Sequence, residues 1–206
     1  ICVRLVGSEM CIRDRTAANP SAPSMPCSYC GVFRRQGINH LAKKVDADVM
    51  ALGHNLDDMA QTVLMNMSNG DLERTLRLAP HTNTPIDGLP PRIVPLRWIP
   101  EQEVHLYAVH KNLPIHHEEC PHARGALRWR HREMVAMMEA DVPGTRHGLV
   151  RMADNVKNLR NQIIELGGHE FRPSPPQECP VCGSMTSNDQ CKACEMRDMV
   201  KNELAN

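Results

Sequence analysis

Seven of the nine cysteines stand at spacings suited to chemistry. Cys179-Pro-Val-Cys182 and Cys191-Lys-Ala-Cys194 are two CxxC pairs with eight residues between them. Each pair bends into a tight knuckle presenting two thiolates, and two knuckles close a tetrahedron with no open position. That pattern predicts a structural zinc site rather than a catalytic one. A segment this small has too little core to fold alone, so metal binding would supply much of its stability. The competing chemistry, a redox-active dithiol, does not call for two such pairs side by side.

Upstream, Cys27-Ser28-Tyr29-Cys30 has no second pair near it, and the lone Cys120 follows 90 residues later. Two plus one cysteines serve equally well as a catalytic disulfide pair with a bystander or as three ligands of an iron–sulfur cluster. In the second case one iron stays open. A buried structural role for Cys120 is the plainer possibility.

A third constellation is Gly53-His54-Asn55-Leu56-Asp57-Asp58, placed where a strand hands over to a helix. In an open parallel sheet that edge is where ligands bind. Gly53 allows close backbone approach, His54 and Asn55 offer short polar groups, and Asp57 and Asp58 could hold magnesium beside phosphate oxygens. The same residues also make an Asx helix cap followed by an acidic first turn. Further on, residues 121–160 hold eight Lys/Arg against four acids, densest in RGALRWRHR. Arg124, Arg128, Arg130 and Arg132 around Trp129 suit phosphate contact and stacking on an extruded base. An ordinary solvated helix face with Trp129 in the core would read the same way.

Elements must position these groups. Val32, Gln36, Leu41 and Val45 fit a helix opening just after the first CxxC, over 28–44. DVMALG, 48–53, suits a short buried strand, and Leu56, Met59, Ala60, Val63, Leu64 and Met67 share one face of a helix that stops at Ser68-Asn69-Gly70. Ile93 to Leu96 reads as a strand, 101–111 as a helix and 113–117 as another strand leading to the Cys120-Pro121 corner. Residues 123–139 and 146–166 follow as two helices. Strand and helix alternation predicts an α/β parallel sheet with a helical extension behind it. The Pro-rich stretch 171–177 reads as a hinge. The domain boundaries expected are therefore 1–26, a non-native or disordered segment, then 27–172, then 173–206 with the hinge and ribbon.

Composition sets limits. The chain has 206 residues, room for one domain plus a small appendage. Formal net charge is zero, which directs attention to local rather than global attraction for nucleic acid. Aromatics are only 3%, so Leu, Ile, Val and the 13 Met must build the core. No apolar run approaches the roughly 20 residues of a membrane span. Paired cysteines without an export signal read as metal ligands in a reducing, cytoplasmic compartment. Residues 1–15 resemble translated adapter DNA and are set aside with Cys2 and Cys11.

CSYCGVFRRQ, ALGHNLDDMAQTVLMN, RIVPL, EECPHA and the terminal CxxC pairs occur in register. Together they resemble the TtcA/TtuA family of PP-loop ATP pyrophosphatases, in its cytosolic tRNA 2-thiolation branch, over residues 27–206. The resemblance implies a truncated Rossmann-like sheet of the adenine nucleotide alpha hydrolase type with a C-terminal zinc ribbon. It implies a tRNA uridine 2-sulfurtransferase, in which ATP adenylates the C2 oxygen and sulfur displaces AMP. Cys27, Cys30 and Cys120 match the cysteines that hold a 4Fe-4S cluster or relay sulfur. Asp58 matches an acidic residue near the nucleotide phosphates, with Gly53, His54, Asn55 and Asp57 in the same motif. Arg34 and Arg35 stand where relatives have basic residues facing the active site.

A ubiquitin-like protein carrying a thiocarboxylate is the expected sulfur source, tRNA the partner and a homodimer the expected assembly. The family's SGGKDS-type phosphate loop is not among these residues, and neither is its N-terminal zinc finger. The expectation is accordingly an N-terminally truncated chain, inactive by itself. His122 stands where an aromatic residue is common. A contrasting reading is a non-catalytic zinc-binding RNA adaptor, in which Cys27 and Cys30 hold zinc or nothing.

Overall fold

The computed structural model describes residues 26–78, 80, 90–115, 120, 126–167 and 177–204. Expectations for the first 25 residues, Arg124, His122 and most of the hinge lie outside them. The described residues fall into two compact units, one built from 26–50, 90–91 and 177–204, the other from 51–80 and 92–167.

In the first unit, helix α1 (Pro26–Lys44) starts with proline at its first position, where a missing N–H costs no hydrogen bond. The helix thus begins before the CxxC rather than after it, and Cys27 and Cys30 occupy its first turn. Tyr29 and Phe33, four residues apart, share its buried face. They pack against Cys179, Cys191, Ala193, Cys194 and Met196, with Val32 and Val200 at the edges. The other partners come from a short antiparallel pair, β3 (Gln177–Glu178) and β4 (Met185–Thr186), and from helix α7 (Lys192–Leu204). This grouping differs from the boundaries drawn in the sequence, which counted α1 with the α/β part. The reason is one of size: the four-cysteine segment borrows two aromatic side chains because it has almost no apolar interior of its own.

The second unit is organised around helix α2 (Leu56–Ser68), capped by Asn55. Its apolar residues Leu56, Met59, Ala60 and Val63 recur at helical spacing and are buried. Leu56, Met59 and Ala60 join Val94, Val135 and Val150 in one core, flanked by Leu52, Leu64, Leu78 and Leu149. A short helix α3 (Leu72–Leu76) follows, then α4 (Glu101–His110), α5 (Leu127–Asp141) and α6 (Thr145–Glu165). Gly144, at φ +94, makes the sharp turn from α5 into α6, a conformation open to glycine.

Strands β1 (Met50–Ala51) and β2 (Arg92–Ile93) pair. The bonds Met50 N–H to Pro91 O (2.8 Å) and Leu52 N–H to Ile93 O (2.9 Å) advance in the same direction along both segments, so the pair is parallel. β1 falls inside its expected run, β2 begins one residue before its expected run and overlaps it only at Ile93, and both are shorter than expected. The strand expected at 113–117 is not formed at 113–115, and the rest of it lies outside the described residues. Pro114 lacks the N–H that a ladder needs. The architecture is mixed α/β with a small parallel sheet. No helix among the described residues is long and apolar enough to cross a membrane.

Candidate metal centre and the 53–58 loop

The four sulfur atoms of Cys179, Cys182, Cys191 and Cys194 lie within 4.8 Å of one another. A tetrahedral zinc with bonds of about 2.3 Å needs sulfurs about 3.8 Å apart, so the set fits such an ion with little movement. The first pair sits on a turn closed by Cys179 N–H to Ser184 O (2.9 Å) and Gly183 N–H to Cys179 O (2.8 Å), with Gly183 at φ +67. The second pair opens α7. Backbone amides aim at the sulfurs, as Cys191 N–H does at Cys179 (3.4 Å), which is the pattern that favours thiolate. That N–H, with those of Val181 and Cys182 and against burial, brings the Cys179 thiol down to about 6. Burial raises Cys182, but the Ser184 hydroxyl and N–H outweigh it and leave it below the ordinary thiol range. Burial pushes Cys191 up, and burial with the neighbouring sulfurs does the same to Cys194. Four clustered thiols so divided hold protons that a divalent ion would displace.

Cys27 and Cys30 are half-buried, one helical turn apart on α1, where i and i+3 side chains meet. Cys120 is exposed and belongs to the second unit. Arg34 is an exposed side chain on α1.

At the loop, Asn55 and Asp58 form a reciprocal capping box. The Asp58 N–H donates to Asn55 Oδ1 (2.9 Å), and the Asn55 N–H donates to Asp58 Oδ2 (3.2 Å). Asp57 receives the guanidinium of Arg146 at Oδ1 (2.9 Å) and the Glu101 N–H at Oδ2 (2.7 Å). Arg146 in turn lies 3.4 Å from Glu139, whose carboxylate also accepts the N–H groups of Gly144 (2.9 Å) and Arg146 (2.8 Å). Both loop carboxylates are thus engaged by protein donors, and a magnesium ion would have to compete for them. His54 and Gly53 are exposed. A Cβ added at Gly53 would meet nothing within 4 Å, which leaves room beside the loop for a ligand.

Several basic residues of the 121–160 stretch have partners within the protein, Arg128 and Arg132 while remaining exposed. Arg128 donates to Thr62 Oγ1 (3.0 Å) and approaches Asp58 (3.6 Å), tying α5 to the start of α2. Arg132 pairs with Glu101 at 3.3 Å. Arg146 is committed as described, and Lys157 donates to the Leu78 carbonyl (2.6 Å). Trp129 is half-buried and donates to Glu133 (3.1 Å), whereas Arg130 remains exposed. The sequence did not single out the two-pronged bond from Arg97 to Asp154 (2.9 and 3.0 Å). Nothing in a residue count separates a guanidinium that braces the fold from one that faces solvent.

No family model matches the chain. The tRNA 2-thiolation protein NcsA of Haloferax volcanii is 37% identical over 187 residues, 85% of this chain and 55% of that protein. Cytoplasmic tRNA 2-thiolation protein 1 of Bos taurus is 35% identical, covering 89% of this chain and 50% of the relative. A probable sulfurtransferase of Methanocaldococcus jannaschii is 34% identical over 82% of this chain and 46% of its own length. The chain therefore spans about half the length of the curated relatives it matches. Among solved structures, the U34-tRNA thiolase NcsA of Methanococcus maripaludis, described with its 4Fe-4S cluster, superposes with a TM-score of 0.69. It is 29% identical and covers 87% of this chain and 55% of that one. Along most of its length, in sequence and in fold, the chain is similar to about half of each of these tRNA 2-thiolation proteins.

Proposed function

We propose that this chain is part of an enzyme that converts a tRNA uridine to 2-thiouridine. The observation that carries the reading is the agreement, over more than four-fifths of the chain, with relatives named for tRNA 2-thiolation. The uridine C2 oxygen attacks the α-phosphate of ATP and pyrophosphate leaves. Hydrosulfide then adds at C2, the C2–S bond forms, the C2–O bond breaks, and the original oxygen departs on AMP. The uridine N3 proton is released on adenylation, and the hydrosulfide proton takes its place at N3 as AMP leaves, so 2-thiouridine forms neutral and one proton is released overall.

The residues divide the work. Asn55 and Asp58 cap the start of α2, whose positive dipole end favours phosphate, and Gly53 leaves space for it. The Arg146 bridge between Asp57 and Glu139 fixes that loop for a near-attack geometry. Magnesium would accompany ATP, bound mainly through phosphate oxygens because the two loop carboxylates are already engaged. Cys27 and Cys30, adjacent on one helical turn, suit two ligands of a 4Fe-4S cluster, and Cys120 is the third. When bound with three protein ligands, such a cluster supplies a Lewis-acidic iron that can orient hydrosulfide. Cys179, Cys182, Cys191 and Cys194 hold zinc in a closed structural site. A ubiquitin-like thiocarboxylate remains the proposed sulfur source, and a Rossmann-like nucleotide sheet the proposed setting.

A chimera tests the reading. Residues 27–204 would replace the matching segment of the Haloferax volcanii protein in cells lacking it, with 2-thiouridine in bulk tRNA read by mass spectrometry. Restored 2-thiouridine is expected. Its absence, in a chimera that accumulates and takes up zinc but no iron, would favour a non-catalytic RNA adaptor.

A further inference from the structure

We propose that the groove between α1 and the four-cysteine module is a phosphate site for the RNA substrate, separate from the 53–58 loop and from the basic stretch around Trp129. The proposal rests on the tRNA-thiolation reading and adds a contact surface to it. The groove is a cavity of about 300 Å³ lying wholly within the first unit. That volume is at the lower end for small-ligand clefts, about 300–1,000 Å³. One wall is α1, contributing Arg35, His40 and Lys43, and the other is the knuckle at Gly183 and Ser184 with Lys192 at the start of α7. Gln36 and Asn39 add neutral polar groups.

Three permanent cations line the groove, and among the described residues its lining contains no carboxylate, in a chain whose formal net charge is zero. Lys192 also bonds Glu195 at 2.6 Å, outside the lining. Gln36 is held in place, accepting from Arg197 (3.1 Å) and donating toward Cys182 (3.5 Å). Cations flanking neutral donors on a rigid wall are what a phosphodiester requires, and such contacts position a nucleic acid without reading its sequence. There is one competing use for the same charges. Four thiolates around a divalent ion carry net negative charge, and Arg35 and Lys43 could serve only to offset it.

The experiment separates these uses. Binding of fluorescein-labelled tRNA to the 206-residue chain, loaded with zinc, is measured by anisotropy between 50 and 200 mM salt for wild type, R35Q/K43Q and the charge-keeping R35K/K43R. The expected result is an affinity at least about tenfold lower in R35Q/K43Q, with the log–log salt slope smaller by about 1.5, zinc content unchanged, and near-normal binding in R35K/K43R. Unchanged affinity and slope with zinc retained would overturn the groove while leaving the thiolation reading intact, since the chimera reads 2-thiouridine independently. Loss of zinc from R35Q/K43Q would also overturn it, by showing that the charges serve the thiolates. Failure of the wild-type chain to bind tRNA overturns it as well.

Discussion

Cys120 is the residue on which the proposed sulfur chemistry turns, since it is the thiol farthest in sequence from its partners. In the chimera, Cys120→Ser should reduce 2-thiouridine to background and weaken the visible absorbance of an anaerobically reconstituted cluster, while ATP binding persists. Retention of both cluster and product would leave Cys27 and Cys30 as a two-thiol relay. Arg146 carries a different kind of weight, because its guanidinium, 18% exposed, sits between Asp57 and Glu139 at 16% and 19%. Removing one partner of such a group strands the others, so Arg146→Met should cost about 3 kcal/mol in chemical denaturation of the chain. Burial alone would raise the Glu139 carboxyl, but the N–H groups of Arg146 and Gly144 and the Arg146 side chain bring it below its ordinary value of 4.5. A depressed folded value means the contribution is complete above about pH 4.5 and disappears as pH falls through the lowered value. Glu139→Gln should therefore lower stability at neutral pH and flatten its loss in acid, measured by denaturation across that range.

Among the elements, the helix from Leu56 to Ser68 was fully legible, because Leu56, Met59, Ala60 and Val63 keep one period and Asn55 with Asp58 makes a box that terminates it. The two-stranded sheet was legible in approximate position but not in extent: apolar runs mark roughly where the strands lie, and the turn after Val94 ends the second one early. The allegiance of α1 was not legible at all. A helix period says which face is buried, yet says nothing of what buries it, and here the partner lies some 150 residues away around Cys179. That allegiance alters what metal loss should do. Cys191→Ser should release the ion and also melt α1, because Tyr29 and Phe33 lose the sulfur-lined wall they pack on. Hydrogen exchange would show protection lost in 26–44 and 177–204 and kept in 56–68 and 127–165. Protection surviving in 26–44 would mean that α1 is held by other contacts.

For the whole molecule, two separately organised cores predict two transitions, with only one responding to chelator. Thermal unfolding followed by calorimetry should shift the lower transition on adding a zinc chelator and leave the other in place; a single transition moving as a whole would contradict the division. Acid should mimic the chelator, since the ion competes with protons for thiols of which Cys191 and Cys194 are pushed up by burial. The four-cysteine site was readable from spacing alone, because CxxC fixes both ligand and turn within a few residues. The role of the basic stretch was not, since Arg128, Arg132, Arg146 and Lys157 acquire their partners from distant parts of the chain.

The packing of Tyr29 and Phe33 on the metal-binding cysteines also constrains descent. The helix bearing the first cysteine pair cannot be inherited intact apart from the distant module that covers it. Lineages that shed the terminal cysteines should show, at the positions of Tyr29 and Phe33, smaller or polar residues, or a replacement segment that shields the aromatics. The two ends of this chain would then change together across a family tree while the helices between them drift independently.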